Sequence, residues 1–270
     1  MTQTESKCNA QEKMMRKITC FIIAICAVTL FSCAGSEEKL AQMKKYRQVM
    51  IVEVSANKII GWVDEKKKDE NDSLAQAKLL GKLMNSKKVE EGAESAEKAL
   101  YDTPYDIIDE AGNMVEKALI DSGAFKVLPF SSADKNKIAW STSKLAKAAD
   151  SRVRPKDYQL FDISKKNVVT TCEALGLDAV IVVSVEYEKE MHNGVGHNGS
   201  MKCVSHVRMS VIDNTGKTVW TEYASASSDK QFPVVMEVVD KKKFNTGLVT
   251  ATANASKTLF NDFSKKLESK

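Results

Sequence analysis

From Ile18 to Phe31 no side chain is charged, and the only polar residues are Thr19 and Thr29. This run decides how much of the chain is left to fold. At about 14 residues it is short of the roughly 20 that an α-helix needs to cross a hydrocarbon core. Arg16-Lys17 precedes it, with Lys13 just upstream, and the small residue Ser32 follows it. A basic flank, a short apolar core and a small residue before a cut are the three parts of a secretory signal peptide. Met14 stands just before the basic pair, so a start there would give the signal ordinary proportions. The folded domain must then be built from what comes after Ser32.

The end of the run is more specific. Leu30-Phe31-Ser32-Cys33 resembles the lipobox of bacterial lipoproteins: an aliphatic residue, a free position, a small residue and then the cysteine. Phe31 is bulkier than the commonest residue at the free position. The resemblance implies cleavage between Ser32 and Cys33, with a diacylglycerol on the Cys33 thiol. One acyl chain holds a protein only marginally, whereas two or more make a stable anchor. The same residues also read as a plain secretory signal with a chance cysteine, or as an uncleaved N-terminal membrane helix. Ala34 is not the Asp that retains lipoproteins in the inner membrane of enteric bacteria, so the resemblance points to the outer membrane, facing the periplasm.

With residues 1–32 removed, four basic side chains (Lys7, Lys13, Arg16, Lys17) and two acidic ones (Glu5, Glu12) leave the count. The formal net charge of +4 falls to about +2. Near-balance of charge implies no polyanion partner, and there is no basic-aromatic stripe of the kind that holds nucleic acid. Roughly 240 remaining residues suffice for one sizeable core. The expected organisation is a signal peptide over 1–32, a lipidated tether over 33–47 and a single α+β domain over 48–270.

Within that domain, Gln48 to Val54 reads as a mostly apolar, internal strand. Asp64 to Asp72 is a solvated charged loop, and Ser73 to Leu100 has helical composition. Thr103 is placed to cap a helix with Pro104 in its first turn; Ile107, Ile108, Ala111, Met114, Val115, Ala118 and Leu119 share one face. Gly123 ends that helix, and residues 124–130 follow as a strand. Ser131 to Asp157 is polar and partly helical. Lys165 to Leu175 is a helix with Val168, Val169, Cys172 and Leu175 inward; Gly176 stops it, and Ala179 to Lys189 is a strong strand.

Two more strands follow. In Cys203 to Ile212 the residues Cys203, Ser205, Val207, Met209 and Val211 lie on one face, with Val204, His206, Arg208 and Ser210 on the other. Asp213 to Lys217 is hairpin-turn chemistry, and Thr218 to Ser227 returns. A helix from about Asn245 to Leu267 closes the chain, its inward residues including Leu248, Ala255, Leu259, Phe260 and Phe263. This order gives a mixed β-sheet with a C-terminal antiparallel meander, packed by several α-helices.

Three phrases, "MVEKALIDSGAFKVLPF", "CEALGLDAVIVVSVEY" and "VRMSVIDNTGKTVWTEYASA", resemble the periplasmic domain shared by the curli-secretion lipoproteins and the lipoprotein activators of penicillin-binding proteins. The likeness spans roughly residues 48 to 228. It implies an envelope α+β domain in which Gly123, Gly176, Asp178 and Asp213 through Gly216 serve turns and helix ends, and it carries no chemistry. Channel-forming relatives add membrane hairpins, which need paired segments of about ten residues alternating apolar and polar. Residues 55–72 and 228–245, where such an insertion would sit, are charged or too short. The chain departs from the pore-forming members there, although a secretion-pore subunit, visible as rings in detergent, remains an alternative.

Other motifs yield to plainer readings. Gly194 to Gly199 spells G-x-G-x-x-G, but a strand follows it where a dinucleotide site needs a helix, so a hairpin tip is expected. His192 and His197 share that loop. They make a weak metal site alone, because Cys203 and His206 point to opposite faces of their strand. The same two histidines are the candidates of a rival reading as an envelope hydrolase. Cys172 and Cys203 could bridge in an oxidising envelope or remain two buried thiols. Phe232 to Val239, "FPVVMEVV", is either an exposed apolar interaction patch or a buried edge strand.

The expected function is that of a non-enzymatic binding or assembly factor, with no catalytic residues, no metal and no cofactor beyond the covalent lipid on Cys33. Its expected partners are membrane lipid through the anchor and other envelope proteins, with self-association open, and no nucleic acid.

Overall fold

The computed structural model describes residues 37–63, 101–195, 198–235 and 239–269. The signal peptide, Ser32, Cys33, the charged loop, the helical segment over 73–100 and His197 lie outside the described residues. Within the stretch expected to be tether, residues 37–43 are helical and close on a bond from the Lys44 N–H to the Leu40 carbonyl. They belong to a unit that ends at Lys45; a second unit begins at Tyr46.

That second unit is a mixed sheet with helices on both faces. Its strands are β1 (Gln48–Asn57), β2 (Ile59–Trp62), β3 (Tyr101–Asp102), β4 (Lys126–Val127), β5 (Arg152–Val153), β6 (Ala179–Val195), β7 (Asn198–Asp213), β8 (Thr218–Ser227) and β9 (Phe232–Val234). The helices are α1 (Tyr105–Asp121), α2 (Lys144–Ala149), α3 (Lys165–Leu175) and α4 (Lys241–Glu268). β1 runs parallel to β6, and β6, β7 and β8 form the antiparallel meander. The expected α+β architecture is present.

One face is apolar over most of its area. Val49, Ile51, Val54 and Ala56 of β1 register against Ala179, Ile181, Val183 and Val185 of β6, and these continue to Val207, Met209 and Val211 of β7; all are fully buried. Each Val, Ile or Met side chain among them contributes about 1.5–3 kcal/mol on burial. α1 and α4 cover this face side by side and in the same direction. Ile107 lies beside Asn245 and Val249 at one end, and the Ser264 hydroxyl donates to the Ser122 carbonyl at the other. The inward residues expected of α4 are all buried, as are Ile107, Ile108, Ala111, Val115 and Leu119 of α1; Met114 and Ala118 are half-buried. Gly247 has to be glycine, since a Cβ there would come within 2.5 Å of the Phe232 ring and 2.7 Å of Cys203 Sγ.

The opposite face is covered only in part. Met50, Val52, Val180 and Ile212 pack there under Val168 and Cys172 of α3 and under Phe130, Ile138 and Phe161 of the long connection. Tyr158 stacks on Phe130 at 3.7 Å between ring centroids. The residues expected at turns and helix ends serve as scaffolding. Gly176 ends α3 in the left-handed conformation at φ 67°. Asp178 Oδ2 accepts the Arg47 and Gln48 N–H groups at 2.6 and 3.0 Å, clamping the start of β1 to the start of β6. Asp213 Oδ1 accepts from the Thr215 and Lys217 N–H groups and closes the hairpin turn.

Several local expectations need correction. Thr103 does not cap α1. Pro104 holds that position, and the Thr103 hydroxyl donates instead to the Asn57 carbonyl at 2.6 Å. Residues 124–130 supply only the two-residue strand β4, because Pro129 has no N–H for a longer ladder and a 3₁₀ turn starts at Phe130. α4 begins earlier than expected, since Asp240 accepts the Lys243 N–H and caps it. Of the two readings of Phe232 to Val239, the buried edge strand is the one found: Phe232, Val234 and Val239 are buried, with Pro233 and Val235 exposed among the described residues.

Candidate functional site

The part of the sheet that no described helix covers is the far half of the α3 face. A bulge in β1 creates it. Register runs Ile51 to Ile181 and then Glu53 to Val182, so Val52 is the extra residue. Before the bulge β1 points Met50 and Val52 at α3. After it the same face receives Glu53 and Ser55, while Val54 and Ala56 stay under the other two helices. Ser184, Glu186 and Glu188 of β6 continue this face, followed by Ser210, Arg208 and His206 of β7 and Thr221, Tyr223 and Ser225 of β8.

At the β1 side the charges are buried and paired. Glu53 is 6% exposed; its Oε1 accepts two bonds from Arg154, at 2.8 and 3.0 Å, and its Oε2 accepts the Phe161 N–H at 3.0 Å. Arg154 also holds Asp150. Arg152 donates to the Ser55 hydroxyl at 2.9 Å and to the Ser55 and Val185 carbonyls. These two arginines tie the long connection onto the sheet and fix the border of the open face.

At the β8 side lies a relay. His206 Nε2 is 3.1 Å from Glu188 Oε2, and its Nδ1 is 2.7 Å from Ser225 Oγ and 2.8 Å from the Tyr223 hydroxyl. Ser225 donates to Tyr223 at 2.6 Å, and the Tyr223 and His206 rings lie parallel at 6.0 Å. With Nε2–H donating to the Glu188 carboxylate, Nδ1 is left to accept from a hydroxyl. The groups of a Glu-His-Ser triad are thus close together, but with Ser225 donating to Tyr223 the hydroxyl that donates to Nδ1 is that of Tyr223. An acyl-transfer site also needs donors aimed at the oxyanion, however, and the N–H groups of a flat sheet lie in its plane, pointing away from a carbonyl resting on the face. The arrangement can hold a ring and two hydroxyls in place for contact. No backbone N–H of these strands is aimed to stabilise a tetrahedral intermediate.

The residues singled out from sequence fall elsewhere. His192 is exposed on the β6 arm of the hairpin, and Gly194 and Gly199 pair across that hairpin with no helix after them. Cys203 faces α4, its thiol 3.5 Å from the Phe244 carbonyl, while His206 faces the open side, as their spacing requires. Cys172 and Cys203 are both free, and they lie on opposite faces of the sheet, which rules out the bridge. Burial, helped by the Asp213 and Asp178 carboxylates, pushes the Cys172 thiol up to about 12, and burial raises Cys203 as well. Both are therefore inert at neutral pH. Among the described residues no group of three or more His, Cys, Asp or Glu side chains could hold a metal ion. The sequence places His206 only on the face opposite Cys203; the signal for its network is the cross-strand placement of Tyr223 and Ser225.

No family model matches the chain, and no curated protein matches it by sequence. Among solved structures it is similar to the lipoprotein GNA1162 from Neisseria meningitidis, at TM-score 0.29 and 15% identity, over 54% of this chain and 86% of that one. It is also similar to the hypothetical protein CT253 from Chlamydia trachomatis, at TM-score 0.33 and 10% identity, over 83% and 99%. Overlaps this loose carry no argument about fold or role. No described helix is long and apolar enough to cross a membrane.

Proposed function

We propose that this chain is a lipoprotein of the bacterial cell envelope, anchored through a diacylglycerol on Cys33. Its α+β domain works as a non-enzymatic binding or assembly factor. The observation that carries the binding role is the open half-sheet, where hydroxyls, an imidazole, carboxylates and a guanidinium stand in rows on rigid strands. Most of them already hydrogen-bond one another, so little ordering entropy is left to lose when a partner docks. The outer membrane, facing the periplasm, is the favoured address, on the strength of Ala34 after the anchoring cysteine.

Photocrosslinking in intact cells tests the face. A benzophenone side chain in place of Arg208, at the centre of the open half, is expected to capture a discrete envelope partner. The same group in place of Lys257, exposed on α4, is expected to capture none. Equal capture from both positions, or none from Arg208, would remove the face from the account. The hydrolase reading moves from His192 and His197 to the His206 relay, and it has its own test. A fluorophosphonate is expected to leave Ser225 unlabelled; labelling that disappears in His206→Ala would make the relay catalytic.

A further inference from the structure

We propose that β8 pairs along its outer edge with β8 of a second copy of this chain, antiparallel and about a two-fold axis, so that two sheets become one. This surface lies in the backbone of the strand and does not depend on the lipid anchor or on the open face having a partner.

β8 pairs only with β7 among the described residues. Which of its backbone groups face outward follows from one bond. The Ser228 N–H donates to the Cys203 carbonyl at 2.8 Å, and inward and outward groups alternate along an antiparallel strand. Trp220, Glu222, Ala224 and Ala226 therefore bond to β7, while Thr221, Tyr223, Ser225 and Ser227 turn their N–H and C=O groups out. The close contacts of Ser225 with His206 and of Thr221 with Ser210, at 2.7 and 3.3 Å, fit this phase, since side chains approach more closely at pairs that do not exchange backbone bonds.

Native sheets guard such an edge with lysines, prolines, inward charges, bulges or a covering segment. The β1 side of this sheet is guarded, by β4, by β5 and by the long connection held through Arg152 and Arg154. The β8 side is not. From Trp220 to Ser227 it has no proline and no bulge, and its outward-bonding residues carry no charge. The charge it does carry, Glu222, is turned under α4, where Lys266 holds it at 2.7 Å and Trp220 donates to it at 3.1 Å.

The strand suits a copy of itself. Centring the two-fold on Ala224 sets Tyr223 against the second copy's Ser225 and Thr221 against its Ser227, hydroxyl to hydroxyl on the open face. On the helix face Ala224 meets its counterpart and Glu222 meets Ala226, so small side chains leave room for the flanks of the two α4 helices. Moving the axis to Glu222 would oppose two carboxylates, a pairing that sheets disfavour. The contact is isologous and closes at two chains.

Sedimentation velocity on the full chain in detergent, with amide exchange of residues 218–227, tests this. Dimers are expected, with the Tyr223 and Ser225 amides gaining protection as protein concentration rises. Thr221→Pro removes an outward N–H and leaves the β7 ladder intact, so it is expected to abolish the dimer without changing the circular dichroism. A wild-type monomer with concentration-independent exchange would overturn the proposal. So would a dimer that survives Thr221→Pro, or a ring of more than two chains.

Discussion

Glu53→Ala is expected to destabilise the domain by about 3–5 kcal/mol, the cost of breaking a buried ion pair from one side. The carboxylate accepts two bonds from Arg154 and one from the Phe161 N–H in a site 6% open to solvent. Removing it leaves a buried guanidinium with Asp150 as its remaining carboxylate partner, and a buried amide with no acceptor. Because those bonds hold the 128–161 connection against β1, the loss is expected to loosen the border of the open face as well. Urea denaturation measures the effect, and Glu53→Gln, which can still accept from Phe161, should lose less. A shift below about 1 kcal/mol would mean that the pair behaves as a surface ion pair.

The second large effect is alkaline unfolding. Burial pushes Cys172 and Tyr187 each up to about 12, from ordinary values of 9.0 and 10.0, and raises Tyr158 and Cys203 too. The unfolded chain therefore gives up these protons first. Stability is fully present below about pH 9 and falls progressively as pH rises toward 12. At about 1.4 kcal/mol per pKa unit, Cys172 alone accounts for on the order of a few kcal/mol across that window. Urea midpoints taken at intervals from pH 8 to 11 should fall steadily, and less steeply in Cys172→Ala. Midpoints flat to pH 11 would contradict the burial of these groups.

How much of this was legible in the sequence depended on range. α3, the turn at Asp213–Lys217 and the two faces of β7 follow from short-range rules: apolar periodicity, a glycine stop and Asx-turn chemistry. Glu53 was legible as an interruption in an apolar strand, but its partner Arg154 is 101 residues away and in a stretch with no clear periodicity. The bulge at Val52 was hidden because four consecutive apolar residues fit either parity. The relay of Glu188, His206, Tyr223 and Ser225 depends on the register of three strands. The hairpin turn would set the β7–β8 register were it not for a shift between Val211 and Ile212. The two readings of Phe232 to Val239 stayed open for a related reason: hydrophobicity says that a residue seeks cover, and only the fold says whether α4 supplies it.

A lipid-held binding module stands or falls on the intact mass of the polypeptide recovered from envelopes. The predicted result is a chain that begins at Cys33, carries a diacylglycerol on that sulfur and needs detergent to leave the membrane. A bare Cys33, retention of residues 1–32 or release by a salt wash would each contradict it.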